Sequence, residues 1–142
     1  MAKTTERAAA FAATTYCVFL PGAPCELRVE VAHAVLAAWL AEHECHSFAI
    51  LTAWNPGTER PAAAINAERQ SALECDLLEG NYETYAAENV PDDPAAPREE
   101  SCFVPDIALE DALALAEDYG QDAIIWGERD GMGRLMWIPA TE

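Results

Sequence analysis

Three groups of residues have types that could carry chemistry. His43, Cys45 and His46 offer metal-ligating side chains close together. A zinc site needs a second pair at matching spacing, and none follows, so no metal and no cofactor is assigned. Near a helix end, such imidazoles more readily serve the last carbonyls. Glu100-Ser101 sets a carboxylate beside a hydroxyl. A nucleophilic serine needs a base, and the three His stand at 33, 43 and 46, on or just after one helix and away from Ser101. There is no Gly-rich phosphate loop. No catalytic residue is assigned. The third group gathers around a turn: Thr52, Asn55, Arg60, Asn66 and Arg69. Hydroxyl, amide and guanidinium donors on one turn suit a small anionic or nucleotide-like ligand.

The elements that must position that turn are clear in outline. Ser47–Trp54 contains the apolar run Phe48-Ala49-Ile50-Leu51, which fits a strand covered on both faces. Asn55-Pro56-Gly57 stops it, because Pro lacks an amide donor and Asn and Gly tolerate turn dihedrals. Pro61 suits the first position of a helix running to Glu79, with Gly80 as its cap. Ile65, Leu73 and Leu77 mark the inner face of that helix. Asn66 and Arg69, three apart, share a face near its start. With Arg60 they would form a positive island beside the helix N-terminus. Ligands commonly sit at such strand ends in open α/β sheets, although a bare strand-to-helix turn has the same pattern.

Residues 1–13 are polar and Ala-rich and read as a flexible or loosely helical lead; 14–142 read as one α/β or α+β domain. Thr14–Leu20 is a strand by its β-branched and aromatic content. Cys25–Glu30 is ambiguous. Val31–Glu42 is a helix with Val31, Val35, Leu36, Trp39 and Leu40 as its stripe and His33 off that stripe. Strand, helix, strand in this order suggests a parallel crossover. Asn81–Glu88 and Glu99–Val104 are further strands around a Pro-rich loop. Asp106 is positioned to cap a helix over Ile107–Tyr119, which Gly120 ends. Asp130-Gly131 marks a closing antiparallel hairpin between Ala123–Trp126 and Leu135–Ile138. The expectation is a mixed sheet of five or six strands with about three helices.

Charge narrows the partners. Net charge is −17, with 25 acidic and 8 basic residues. Phosphate would be repelled, so direct nucleic-acid binding and attachment to anionic membranes are not expected. No apolar run approaches the ~20 residues of a bilayer span. MAKTTERAAAFAATT has no long apolar stretch after its Lys and Arg, so no signal peptide is read and a cytoplasmic location is expected. The five cysteines are odd in number and widely spaced, which points to reduced thiols. From Glu79 to Asp118, acids outnumber bases twelve to one, the one being Arg98. That region is where a basic protein surface would dock, through Glu83, Glu88, Asp92, Asp93, Glu99, Glu110, Asp111, Glu117 and Asp118.

Thr52-Ala53-Trp54-Asn55-Pro56, then Asn66, Glu100-Ser101 and Gly120-Gln121-Asp122-Ala123, are together similar to the pattern of bacterial domain-of-unknown-function family 3293. The resemblance spans about residues 14–138. It implies one α/β domain whose recurring polar residues, here Thr52, Asn55, Asn66, Glu100, Ser101 and Gln121, stand at strand and helix ends.

Three functions follow as expectations. The first is a non-catalytic acidic protein that mimics nucleic acid and inhibits a nucleic-acid-handling protein, as antirestriction and anti-CRISPR proteins do. The alternative is a domain binding a small anion or nucleotide through Thr52, Asn55, Arg60, Asn66, Arg69, Glu100, Ser101 and Gln121. An enzyme using Glu100 and Ser101 comes last.

Overall fold

The computed structural model describes residues 2–56 and 59–139. Among these, four helices and seven strands follow in the order α1 (Ala2–Ala12), β1 (Thr14–Val18), β2 (Cys25–Leu27), α2 (Ala34–Glu42), β3 (Ser47–Leu51), α3 (Ala63–Glu79), β4 (Tyr85–Pro91), β5 (Glu99–Pro105), α4 (Leu109–Asp118), β6 (Ala123–Glu128) and β7 (Gly133–Trp137). The strands form one sheet in the order β2-β1-β4-β5-β3-β6-β7. Every neighbouring pair is antiparallel. This corrects the expected mixed sheet, its five or six strands, its three helices and the parallel crossover. Periodicity locates strands but not their neighbours: here β4 and β5 separate β1 from β3, and β5 and β6 flank β3 antiparallel.

β3 is the hub, and all five of its residues are buried. Alternation sends Phe48 and Ile50 to one face and Ala49 and Leu51 to the other. On the first face, Leu36, Trp39 and Leu40 of α2 pack with Phe48, Phe103 and Val18, and Phe11 of α1 joins them. On the second, Leu73 and Leu77 of α3 and Ala112 and Ala116 of α4 cover Leu51, Val104 and Ile124. Each large side chain so enclosed contributes about 1.5–3 kcal/mol. Gly127 of β6 lies flat against this packing: a Cβ there would stand 2.6 Å from the Phe48 ring and collide with the Met132 carbonyl.

Past β2, the Glu30 amide donates to the Gly133 carbonyl at 2.8 Å, so the two edges of the sheet approach each other and the sheet curls. The residues expected as a flexible lead hold α1, which closes one end of that curl.

Two helix faces differ from expectation. α2 begins at Ala34, so Val31 precedes it; Val31 and Val35 are exposed, and the buried stripe is Leu36, Trp39 and Leu40. In α3, Ile65 faces outward, and the inner stripe is Asn66, Gln70, Leu73 and Leu77. Asp106 does not cap α4; Ala108 holds that position, and Asp106 Oδ1 accepts from the His46 amide at 2.9 Å. The histidines have structural roles. His33 caps α2 by accepting from the Leu36 amide, His43 stacks on Trp39 at 4.0 Å between ring centres, and the His46 ring meets Arg129. No metal-ligand cluster occurs among the described residues.

Candidate functional site

The chain leaves β3 at Leu51 and makes a turn in which five backbone polar groups between Ala53 and Asn55 are taken by side chains. Thr52 Oγ1 donates to the Glu100 carbonyl at 2.7 Å and accepts from the Trp54 amide at 3.1 Å. The Ala53 amide donates to Gln70 Oε1 at 2.9 Å, and Arg69 Nε donates to the Ala53 carbonyl at 3.0 Å. Gln121 Nε2 donates to the Trp54 carbonyl at 3.0 Å. The Asn55 amide donates to Asn66 Oδ1 at 3.0 Å. Asn55 sits at φ +49°, a left-handed conformation that Asn adopts more readily than most residues.

The helix period explains the set. Asn66, Arg69 and Gln70 lie at i, i+3 and i+4 on α3 and so face the turn together. Asn66 and Gln70 are almost fully buried, which burial allows only because their amides are bonded. Gly120 seats the turn from the other side. It adopts φ +71°, and a Cβ there would stand 2.9 Å from Pro56 Cβ.

From this turn a relay of hydrogen bonds runs outward. Asn66 Nδ2 donates to Asn55 Oδ1 at 3.0 Å, and Asn55 Nδ2 donates to Glu99 Oε2 at 2.7 Å. Glu99 stands in a cross-strand row, because Tyr16 pairs with Asn89 and Asn89 with Glu99 in register. That row floors a cavity of about 440 Å³. Trp54, Arg60 and Gln121 line its end, and Arg7 and Phe11 of α1 its roof. The roof is tied down at several points. Arg7 pairs with Asp122 at 2.9 Å, Thr14 Oγ1 donates to the Ala10 carbonyl at 2.8 Å, and Arg28 Nη2 donates to the Ala12 carbonyl at 2.9 Å. Burial, with the negative charge of Glu99 adding to it, pushes the Tyr16 hydroxyl far above its ordinary pKa. Tyr16 therefore stays a neutral donor, bonded to the Phe11 carbonyl at 3.3 Å.

Of the residues singled out in the sequence for ligand binding, Thr52, Asn55, Arg60 and Gln121 line the cavity. Asn66 and Arg69 stand behind the turn and hold it. Arg69 bonds the carbonyls of Ala53 and Tyr119 and lies over the Tyr119 ring, so it makes no positive island with Arg60. Ser101 is buried and donates to Asn89 Oδ1 at 2.8 Å. Glu100 lies on the opposite face of the sheet, directly across from Glu88.

The residues singled out for a partner divide likewise. Glu99 and Asp93 line the cavity. Asp92 pairs with Arg28 at 2.7 Å, Glu88 with Arg98 at 3.3 Å, and Asp111 accepts from the Tyr82 hydroxyl at 2.5 Å. Glu83 accepts from the Tyr85 hydroxyl at 3.3 Å. Glu110, Glu117 and Asp118 are exposed on α4.

Sequence reasoning did not assign Gln70, Asn89, Trp54 or Tyr16 to the site. The signal for Gln70 was present: Asn66, Gln70, Leu73 and Leu77 are spaced as one helical stripe, with amides at the two positions nearest the turn.

No curated protein and no solved structure matches the chain. A family model described as a protein of unknown function matches residues 51–124, from the end of β3 to the start of β6 and so more than half of the sequence, and the chain belongs to that family, DUF3293.

Proposed function

We propose that the protein binds a small molecule in the cavity between α1 and the curled sheet. One observation carries this reading. Two buried asparagines are spent on orienting a single carboxylate, Glu99, at the floor of a half-open cavity of about 440 Å³. Buried polar groups cost free energy, and a packed core of apolar residues would serve stability better. Aromatic walls with a few convergent polar groups, at this volume, are what small-molecule sites are made of.

The test is a thermal-shift screen of the full chain with amines, amino acids, nucleosides and phosphorylated metabolites. A true ligand at a hundredfold excess over its Kd adds about 2.7 kcal/mol. That should raise Tm by several degrees in the wild type and not in Asn55→Ala. A screen in which no compound of any charge gives such a shift refutes the proposal.

A second reading rests on the far face of the sheet. Glu88 and Glu100 are directly opposed there, and Glu26 lies on the same row beyond Cys17. Like charges set opposite each other are destabilising; Arg98 pairs with Glu88 on the surface, and a basic protein surface would relieve the rest. This is the nucleic-acid-mimicking inhibitor. Its binding should weaken steeply with salt and compete with DNA; a partner held equally well in high salt would exclude it.

A further inference from the structure

The charges around the cavity do not balance. Glu6, Asp93 and Glu99 contribute carboxylates to its lining, and Arg7 and Arg60 contribute guanidinium groups. Arg7 is matched by Asp122 at 2.9 Å. Arg60 sits on the exposed rim, where its Nη1 donates to the Glu59 carbonyl at 2.9 Å. Arg69 is engaged elsewhere by two backbone carbonyls. The lining thus sets three carboxylates against two guanidinium groups, one of them on the rim, and its charge is negative. Asn55 takes one lone pair of Glu99, and a carboxylate offers about four. Three rings, Phe11, Tyr16 and Trp54, line the same cavity. Ring faces attract cations and repel anions. A protein carrying −17 also raises the local concentration of cations at its clefts.

We infer that the ligand is a small organic cation, an amine or guanidinium on an apolar body. Its charged head seats on Glu99, and its body lies between Phe11 and Trp54. This rests on the proposed role of the cavity and replaces the small anion that the turn's donors suggest in the sequence. Apart from Arg60 on the rim, those donors are consumed inside the fold: Asn66 and Arg69 bond the turn, and Gln121 bonds Trp54.

The experiment is calorimetric titration of the full chain with putrescine, spermidine and agmatine, beside butanediol and AMP. The amines should bind, and butanediol and AMP should not. Glu99→Gln should weaken amine binding on the order of tenfold or more, the loss of one charge-assisted bond. Arg60→Ala, which takes a positive charge off the rim, should tighten amine binding. Glu117→Gln, on α4 across the sheet, removes a surface carboxylate without touching the cavity and should change nothing. Equal binding of the amines to wild type and Glu99→Gln overturns the inference, as does equal loss in Glu117→Gln. Binding of AMP that is lost in Asn55→Ala overturns the cationic assignment and leaves the cavity reading standing. If these five probes and the wider screen all fail, both fall. The melting temperature of Glu99→Gln separates lost binding from lost fold.

Discussion

The two ends of the sheet face shared by α1 and α2 are built from the same strands and are chemically opposite. Beneath α2 the face is dry. Phe48 and Phe103 stack at 5.5 Å, and Trp39 meets Phe103 edge-on at 5.9 Å. Beneath α1 the face carries hydrogen-bonding groups. Along β3 the residues pass from Phe48 through Ile50 to Thr52; along β5, from Phe103 through Ser101 to Glu99; along β4, from Tyr85 through Ala87 to Asn89. β1 runs from Val18 through Tyr16 to Thr14. β3 and β5 turn polar at Thr52 and Ser101, and β4 and β1 one pair further on, at Asn89 and Tyr16, so the change runs across the sheet and is not confined to one segment. A layer of polar groups there weakens the core. Its retention beside a cavity is what the proposed binding role requires.

That contrast can be broken at either end. The largest effect is expected at the dry end. Phe103→Ala should destabilise the protein by about 3–5 kcal/mol in urea denaturation, because its neighbours cannot collapse into the space. A loss under about 1 kcal/mol would mean the two ends are equally loose. Next comes the relay. Asn66→Ala strips the Asn55 amide and Asn55 Oδ1 of their partners at a buried position, which should cost about 2 kcal/mol. It should also abolish the ligand response, although Asn66 does not line the cavity. A variant that binds normally would detach the relay from the site.

The smallest effect concerns the tether of α1. Arg28 hydrogen-bonds Asp92 and holds its carboxyl below the usual carboxylate range. A lowered folded-state pKa stabilises at pH above the unfolded value, and that part is lost as pH falls through the folded value. Asp92→Asn should therefore flatten the acid limb of the stability profile slightly. It should also speed hydrogen exchange in α1, since Arg28 also holds the Ala12 carbonyl. An unchanged acid limb would show that solvent already screens the pair.

Much of the positioning scaffold was legible in the sequence. The buried run Phe48–Leu51, the cap at Gly80 and the hairpin at Asp130-Gly131 each follow from local chemistry, and each is found; the strand expected to reach Trp54 ends earlier, at Leu51, where side chains take over the backbone's hydrogen bonds. Strand order was not legible, because alternation says which side chains share a face and nothing about which strand lies alongside. α1 was read only as a flexible or loosely helical lead because its Ala-rich sequence holds few large apolar residues; Phe11 and polar tethers hold it. The role of Glu99 was hidden for a related reason. As one carboxylate among many it counted toward an acidic surface, and only the register with Asn89 and the reach of Asn55 turn it inward. Ile65 misled because an apolar residue was assumed to face the core, whereas the stripe beside it uses amides to hold a backbone turn.

Gly120 and Pro56 touch where no side chain larger than hydrogen fits. Two short motifs far apart in the chain are thereby locked as a lock is to its key blank. Adding one methyl at 120 would press on Pro56 and tilt the neighbouring Asn55, so a change on the loop after α4 would be felt as a misaimed carboxylate at the opposite end of a hydrogen-bond chain.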